Sequence, residues 1–356
     1  MMLFRNRLAG LLVCLCTLTL PWAHAAHAPA TGVGFQTLSI HDRVNDVAMP
    51  GLVFYPSLRA SGDTVRGPYH IAATADAPVQ AGIHPMVVIS HGNGGSDMGH
   101  HDLATYLASH GFIVATLEHP GDNFHDQTGV GYPRVMGGRP IQVAETIDAL
   151  LTSPSWKVLI DPDRIGVAGF SAGGYTALMV VGAKPRFDRF ITYCKKYPGD
   201  HDVCDVTRRL FASAARRGQT DIDVAALLQK DSMQWGMTAD PRVKAAFVMA
   251  PQSIAFDAAG AAAVDRPVYL YYAQNDHVLI PSENAEHLAP LLHTLAGKTM
   301  VPKADHWVFL APCSPELARQ AAVICSDPQG VDRRQVHARI LADALDFFRK
   351  TLHVTP

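Results

Sequence analysis

After residue 25 the sequence has no apolar run long enough to cross a membrane, which argues against a protein anchored by a membrane-spanning helix. It also lacks a surplus of basic residues, since 30 lysines and arginines stand against 32 acids, a formal net charge of −2. This balance gives no indication of a nucleic-acid partner. Because no linker-like tract divides the chain, we expect residues 26–356 to form one domain.

The N-terminus has the three parts of a secretory signal peptide. Arg5 and Arg7 precede an apolar run at 8–20, and a small-residue site ends at Ala25. A membrane anchor is the alternative, but a run of this length is too short to cross a bilayer. We expect cleavage after Ala25, with the Ala-His-Ala at 26–28 as a near alternative. The exported chain would be periplasmic or secreted, with 28 basic residues against 32 acids and a formal charge of −4.

Cysteine is scarce, and two of the six cysteines lie in the predicted signal peptide. The other four are Cys194, Cys204, Cys313 and Cys325. An even number in an oxidising compartment indicates disulfides, and four cysteines allow three connectivities. We favour Cys194–Cys204 and Cys313–Cys325, which close the shortest loops. A zinc site is the alternative, but the spacings are too wide for paired zinc ligands.

The segment at 169–173 has the sequence Gly-Phe-Ser-Ala-Gly and lies between a predicted strand at 164–170 and a predicted helix at 172–181. Ser171 therefore occupies a sharp turn from strand to helix, where Gly169 and Gly173 keep other side chains away from its hydroxyl. A turn of small residues that serves only packing is the alternative. The strand-turn-helix context favours a catalytic nucleophile.

A glycine-rich loop follows the predicted strand at 85–90. It begins with His91 and Gly92 and continues through Asn93 to two further glycines. In hydrolases with a nucleophile turn, such a loop supplies one oxyanion donor and the residue after the serine supplies the other. The expected donors are the Asn93 and Ala172 amides. A plain turn and a phosphate-binding loop are the alternatives, but no Lys-Ser/Thr follows as a nucleotide-binding loop requires.

Two further residues complete a possible catalytic triad in the chain order Ser, Asp, His. Asp276 follows a predicted strand at 267–273, and His306 follows a short predicted strand at 299–301. An ordinary turn aspartate and a solvated loop histidine are the alternatives. Three other histidines are alternatives to His306. His287 and His293 are disfavoured because they lie in a predicted helix at 283–294, and His277 is disfavoured because it is too close in sequence to Asp276.

The remaining pattern is one of buried strands alternating with amphipathic helices. Residues 26–82 read as antiparallel edge strands, and 121–138 as a loop rich in glycine and proline. Further strands are predicted at 112–117 and 243–249, and further helices at 102–110, 143–151 and 334–352. This alternation predicts an α/β fold with a mostly parallel central sheet flanked by helices.

Residues 184–240 interrupt the alternation with charged, helical patches at 206–217 and 224–230. Such an insertion would serve either as a lid over the site or as a peripheral helical decoration, and the sequence leaves both open. Three histidines elsewhere suggest a metal cluster: His100, His101 and His119. Their spacing is not that of zinc ligands, so we expect ordinary solvated loop histidines.

With these residues placed, the chain resembles the α/β-hydrolase superfamily. The segments at 91–95, 111–119 and 169–174 resemble the branch of exported predicted dienelactone hydrolases, which is related to platelet-activating-factor acetylhydrolases and cutinase-like polyesterases. The resemblance covers most of residues 33–352, apart from 184–240. Dienelactone hydrolase itself uses a cysteine nucleophile, whereas this chain has Ser171, so a dienelactone is not the expected substrate.

The resemblance implies a serine ester hydrolase with the α/β-hydrolase fold. The expected reaction is cleavage of a small-molecule or lipid ester by Ser171, His306 and Asp276 through an acyl-enzyme. This reaction needs neither a metal nor a cofactor. A peptidase or amidase on the same fold is one alternative. A non-catalytic binding module is the other, although such a module has no need for all three residues.

Overall fold

The computed structural model of the protein describes residues 32–354, apart from the side chains of residues 206, 211 and 214. The predicted signal peptide at 1–25 lies outside the described residues and stays a prediction. Within 32–354, none of the helices combines the length and the apolar character that a membrane span requires.

A single large sheet organises the described part of the chain, with nine strands in the order β11-β10-β9-β8-β6-β7-β2-β1-β5. The six strands from β11 to β7 are parallel, β2 pairs antiparallel with β7 and β1, and β3 and β4 form a separate hairpin. The strands are β1 (Gly32–Asp42), β2 (Val47–Ser57), β3 (Thr64–Arg66), β4 (Tyr69–Ile71), β5 (Thr74–Ala75), β6 (His84–Ser90), β7 (Ile113–Leu117), β8 (Ile160–Phe170), β9 (Val243–Met249), β10 (Val268–Ala273) and β11 (Leu295–Val301).

Helices cover both faces of this sheet. They are α1 (His101–Ser109), α2 (Pro133–Thr152), α3 (Ala172–Val180), α4 (Asp188–Lys196), α5 (His201–Ala215), α6 (Asp221–Ser232), α7 (Ala258–Ala262), α8 (Ala285–Leu288), α9 (Pro315–Gln320), α10 (Ala322–Cys325) and α11 (Arg333–Thr351). Along β6, Met86 and Val88 join the apolar core under α2 and α3, whereas Val87 and Ile89 join the core under α1 and α11. A strand buried on both faces needs this continuous apolar run, which confirms the predicted α/β architecture.

The predicted loop at 121–138 is wrong at its C-terminal end, because α2 already begins at Pro133. A proline suits the first turn of a helix, where its missing N–H has no partner to lose. Gly137 is inside the helix for a packing reason: a Cβ there would lie 1.9 Å from the Ser232 carbonyl oxygen. Close approach of α6, which the local sequence does not reveal, therefore explains the glycine at this position.

The predicted helix at 283–294 is also wrong as a continuous element. The structure has a 3₁₀ turn at Pro281–Glu283, the four-residue α8 and a second 3₁₀ turn at Ala289–Leu291. Pro290 has no backbone N–H, so it cannot donate the regular helical hydrogen bond to the carbonyl oxygen of the preceding turn. The segment is therefore helical in three short pieces and not as one helix.

The insertion at 184–240 contains α4, α5 and α6. A disulfide between Cys194 and Cys204 joins α4 to the first turn of α5. The insertion packs against α2 through α6, and Lys196 and Tyr197 donate hydrogen bonds to Glu283 at 2.5 and 2.7 Å. A second disulfide, Cys313–Cys325, braces the segment around α9 and α10. Both favoured cysteine pairings are thus confirmed.

Candidate active site

Ser171 occupies the turn between β8 and α3. Its backbone has φ 55° and ψ −117°, a strained conformation for a residue other than glycine. The flanking glycines permit the turn, since a Cβ on Gly169 would lie 2.0 Å from the Gly173 oxygen, and one on Gly173 would lie 1.9 Å from the Ser90 oxygen. The strand-turn-helix geometry therefore presents the serine at the carboxyl edge of the sheet.

Asp276 and His306 meet at the same edge of the sheet. The His306 ring donates its Nδ1–H to Asp276 Oδ2 at 2.7 Å, and both side chains are buried. The other carboxylate oxygen accepts the amides of Val278 at 3.0 Å and Leu279 at 2.7 Å. These bonds fix the carboxylate and the imidazole tautomer, and they leave Nε2 of His306 as the proton acceptor.

Phe170 links the serine turn to this pair. Its ring centroid lies 4.7 Å from that of His306, and it also contacts His100 and Phe309. His306 begins a 3₁₀ helix, His306–Phe309, rather than lying in an extended loop. The structure thus brings the three predicted residues to neighbouring positions at the ends of β8, β10 and β11.

The loop at 91–95 lies against the serine. A Cβ added to Gly92 would come within 3.1 Å of the Ser171 Cβ. His91 holds the loop from within, because its Nδ1–H donates to the Gly92 oxygen at 2.6 Å and its Nε2 accepts the His119 amide at 3.2 Å. Among the residues from 32 to 354, none offers an acceptor to the Asn93 or Ala172 amide, so both can donate to a ligand.

The expectation of solvated loop histidines is wrong for His100 and His119, whose exposed fractions are 3% and 0%. His119 donates from Nδ1 to Gln142 Oε1 at 2.6 Å and accepts at Nε2 from the Ser90 hydroxyl at 2.8 Å. Burial, together with the nearby Arg139 charge, holds the pKa of both His91 and His119 well below the ordinary value. These two rings are therefore neutral supports beneath the glycine-rich loop.

A cavity of about 830 Å³ opens beside this loop. Its walls come from the β3–β4 turn, the segment 91–99, the segment 118–127 and the disulfide-braced segment 307–324. Phe170 and Trp307, the chain neighbours of Ser171 and His306, also line it. The lining is mostly apolar, with Tyr69, Leu310 and Ile324 among its side chains. The lining includes the chain neighbours of Ser171 and His306 but neither residue itself, so a bulky apolar part of a ligand fits beside the loop at 91–95.

The insertion does not contribute to the walls of this cavity in the described part of the chain. It contacts α2 and the turn at 281–283 instead. A lid function for 184–240 stays a prediction.

Asp102 and His337 form a buried ion pair that no local sequence pattern indicates. His337 on α11 donates from Nδ1 to Asp102 Oδ2 on α1 at 2.5 Å and from Nε2 to the Val308 oxygen at 2.9 Å. The second bond holds the 3₁₀ helix that begins with His306. The Asp102 charge raises the pKa of His337 against the opposing effects of burial and Arg333, and the histidines at 337, 101 and 100 lower the pKa of Asp102 against its burial.

We expect His337→Gln to lower the free energy of unfolding by about 3 kcal/mol at pH 6, because the Asp102 charge would stay buried without its partner. A raised histidine pKa gives stability that is fully present below about pH 6.5 and is lost as the pH rises through the folded-state pKa. A lowered aspartate pKa gives stability that is lost as the pH falls below about 4. The pair should therefore stabilise most between these limits.

Urea unfolding at pH 6 and pH 9 measures this effect. The difference between wild type and His337→Gln should shrink at the higher pH. The exposed His201, which pairs with Asp205 at 3.2 Å, provides the control, and His201→Gln should change the stability little at either pH. An equal or larger loss at pH 9 would contradict the assignment of a charged His337.

The chain has an α/β-hydrolase fold, with a mostly parallel central sheet flanked by helices. Two family models match parts of it: the prolyl oligopeptidase family over residues 100–195, and platelet-activating factor acetylhydrolase isoform II over residues 62–126. The first range contains Ser171 and the second contains the loop at 91–95. The second match agrees with the resemblance seen in the sequence.

The chain is also similar to a solved structure, a ferulic acid esterase from Streptomyces cinnamoneus. The two share 20% sequence identity over 93% of each chain, with a TM-score of 0.59. At this identity the similarity establishes the fold. No protein of curated function is significantly similar to the chain in sequence.

Proposed function

We propose that the protein is an exported serine hydrolase that cleaves carboxylic esters. The observation that carries the proposal is the hydrogen bond between Asp276 and His306 at the sheet edge where Ser171 occupies its strained turn. The match to the acetylhydrolase family over the glycine-rich loop supports an ester as the substrate. The predicted signal peptide and the two disulfides fit an oxidising compartment.

In the proposed reaction, Ser171 Oγ attacks the ester carbonyl while His306 Nε2 takes its proton. Asp276 holds the imidazole and stabilises its charged form. The Asn93 and Ala172 amides donate to the oxyanion of the tetrahedral intermediate. The proton then passes to the leaving alcohol, and a water molecule activated by His306 hydrolyses the acyl-enzyme. Neither a metal nor a cofactor takes part in these steps.

The second candidate is a peptidase on the same fold. The match to the prolyl oligopeptidase family over residues 100–195 favours it, because that range contains the serine turn. The triad chemistry serves amides and esters alike, so the geometry does not separate the two. The ester is preferred because the loop that would hold the oxyanion lies in the range matched by the acetylhydrolase model.

A matched substrate panel tests the proposal. The mature protein would be assayed with p-nitrophenyl esters from acetyl to long acyl chains, and with p-nitroanilides of the same acyl groups. We expect turnover of esters that exceeds turnover of the anilides for each acyl group. Faster cleavage of amides would favour the peptidase, and cleavage of neither class would contradict a hydrolase of this type.

The cavity should determine which esters are accepted. Ala321 lines it, and Ala321→Trp would fill part of the space with an indole ring. We expect kcat/KM for long or bulky acyl esters to fall by about 10-fold, a loss typical of a small change in the size of a substrate pocket. The acetyl ester should be little affected.

The matched control is Val323→Trp on the neighbouring helix, where the side chain is 75% exposed. This substitution adds an indole ring outside the cavity and should leave all the esters unchanged. An equal effect of Ala321→Trp on acetyl and long-chain esters would contradict substrate binding in this cavity.

A further inference from the structure

A second buried ion pair lies directly behind the glycine-rich loop. Arg139 on α2 donates from Nη1 to Oδ2 of Asp122 at 2.5 Å, and the exposed fractions of these side chains are 1% and 0%. Removing two charges from water is costly, and apolar residues of similar volume often stabilise a core at least as well. The presence of so costly a pair therefore directs attention to what its remaining hydrogen bonds hold in place.

The pair binds the loop on both sides of Asn93. Oδ1 of Asp122 accepts the Gly94 amide at 2.9 Å. Nη2 of Arg139 donates to the carbonyl oxygen of His91 and, at 3.3 Å, to the Ser90 hydroxyl. The Asn93 amide thus lies between two peptide groups that are fastened to a single ion pair.

The same guanidinium is also connected to α3, the helix that follows Ser171. Arg139 Nε–H donates to Thr176 Oγ1 at 3.1 Å, and the Thr176 hydroxyl donates to the Ala172 carbonyl oxygen at 2.9 Å. Ala172 carries the other amide that would hold the oxyanion. One buried side chain is therefore connected to the segments of both proposed donors.

We infer that Arg139 and Asp122 are positioning residues that set the relative placement of the Asn93 and Ala172 amides. The inference rests on the proposed function. Neither residue lines the cavity beside the serine, so neither is expected to touch the substrate. Their role is to hold the two backbone donors so that both point at the position where negative charge develops. The donors then need no reorganisation at the moment of reaction.

This role has a kinetic signature that a purely structural role lacks. Displaced oxyanion donors weaken binding of the transition state but not of the ground-state ester, so kcat falls while KM stays constant. A trifluoromethyl ketone that adds to Ser171 forms a hemiketal oxyanion in the same place. Its inhibition constant should rise in step with the fall in kcat.

The main test is the double variant Arg139→Gln/Asp122→Asn, which removes both charges together and leaves no unpaired buried ion. We expect kcat for the acetyl ester to fall by about 10- to 100-fold, because a small misplacement of reacting groups costs rates of this order. KM should change by less than about 2-fold, and the inhibition constant of the ketone should rise by the same factor as kcat falls.

A second variant keeps the inference testable if the double variant does not fold. Thr176→Val leaves the ion pair intact and removes only the acceptor that links Arg139 to Ala172. We expect the same pattern with a smaller fall in kcat, about 5-fold. The control is Arg242→Gln, which breaks an ion pair with Asp240 and Asp148 beside the start of β9, and it should alter stability but not kcat.

Unchanged kcat in a folded double variant, or in Thr176→Val where the double variant does not fold, would overturn the inference. A rise in KM without a matching change in the inhibition constant would overturn it as well. Failure of the proposed function is distinguishable, because the wild-type protein would then show neither ester turnover nor binding of the ketone.

Discussion

Replacing Ser171 with alanine should abolish ester hydrolysis. Without the nucleophile no acyl-enzyme can form, and losses of about 10⁴- to 10⁶-fold in kcat are typical of this change. The backbone turn should persist, because alanine is smaller than serine and the strained conformation is held by the glycines at 169 and 173. Steady-state kinetics with p-nitrophenyl acetate measures the loss, and a melting curve verifies the fold.

The control for this variant is Ser109→Ala, at the exposed end of α1. It should retain wild-type kinetics. Residual activity of Ser171→Ala within 10-fold of the wild type, in a sample free of contaminating esterase, would mean that another group performs the attack.

The second large effect is expected for Asp276→Asn. The amide oxygen can still accept the Val278 and Leu279 amides, but the amide nitrogen would face Nδ1 of His306 as a donor. The imidazole would then carry its proton on Nε2, the atom that must accept the proton of Ser171. We expect kcat to fall by about 10⁴-fold with the fold intact.

Asp346→Asn on the exposed face of α11 controls for the loss of one carboxylate and should be silent. Measurement of kcat and KM for both variants with one ester is sufficient. A fall of less than 10-fold in Asp276→Asn would show that a different carboxylate orients His306.

The three positions of the proposed triad could be inferred from the sequence because each depends on a local pattern. A glycine-flanked serine between strand and helix, and an acid and a histidine after successive strands, are visible in residues a few positions apart. The buried strands were predictable for the same reason, since β6 and β9 are continuous apolar runs. The disulfide pairs followed from short loops, although the sequence alone allowed other connectivities.

The features that depend on tertiary contacts were not predictable. Gly137 of α2 suggested a loop because nothing in the local sequence reveals the approach of Ser232. His119 was expected to be a solvated loop histidine and His337 is not part of any local pattern, yet each is buried with partners distant in the chain. Arg139 left one signal: it lies four residues from Val135 and from Val143, on the apolar stripe of the helix.

That signal is a general consequence of helix geometry. A charged residue on the buried stripe must find a partner inside the protein, because an unpaired buried ion is too costly. Its partner, Asp122, is in the predicted loop at 121–138, where the local sequence suggests only a turn. The pair therefore becomes visible only when the loop and the helix are placed together.

Covalent labelling by a fluorophosphonate tests most directly whether Ser171 is an activated nucleophile. The folded mature protein would be incubated with the probe, digested and analysed by mass spectrometry. We expect a single label on Ser171, absent from Ser171→Ala and much slower in His306→Ala. A label on another residue, or no label on a folded protein, would contradict the assignment of Ser171 as the nucleophile.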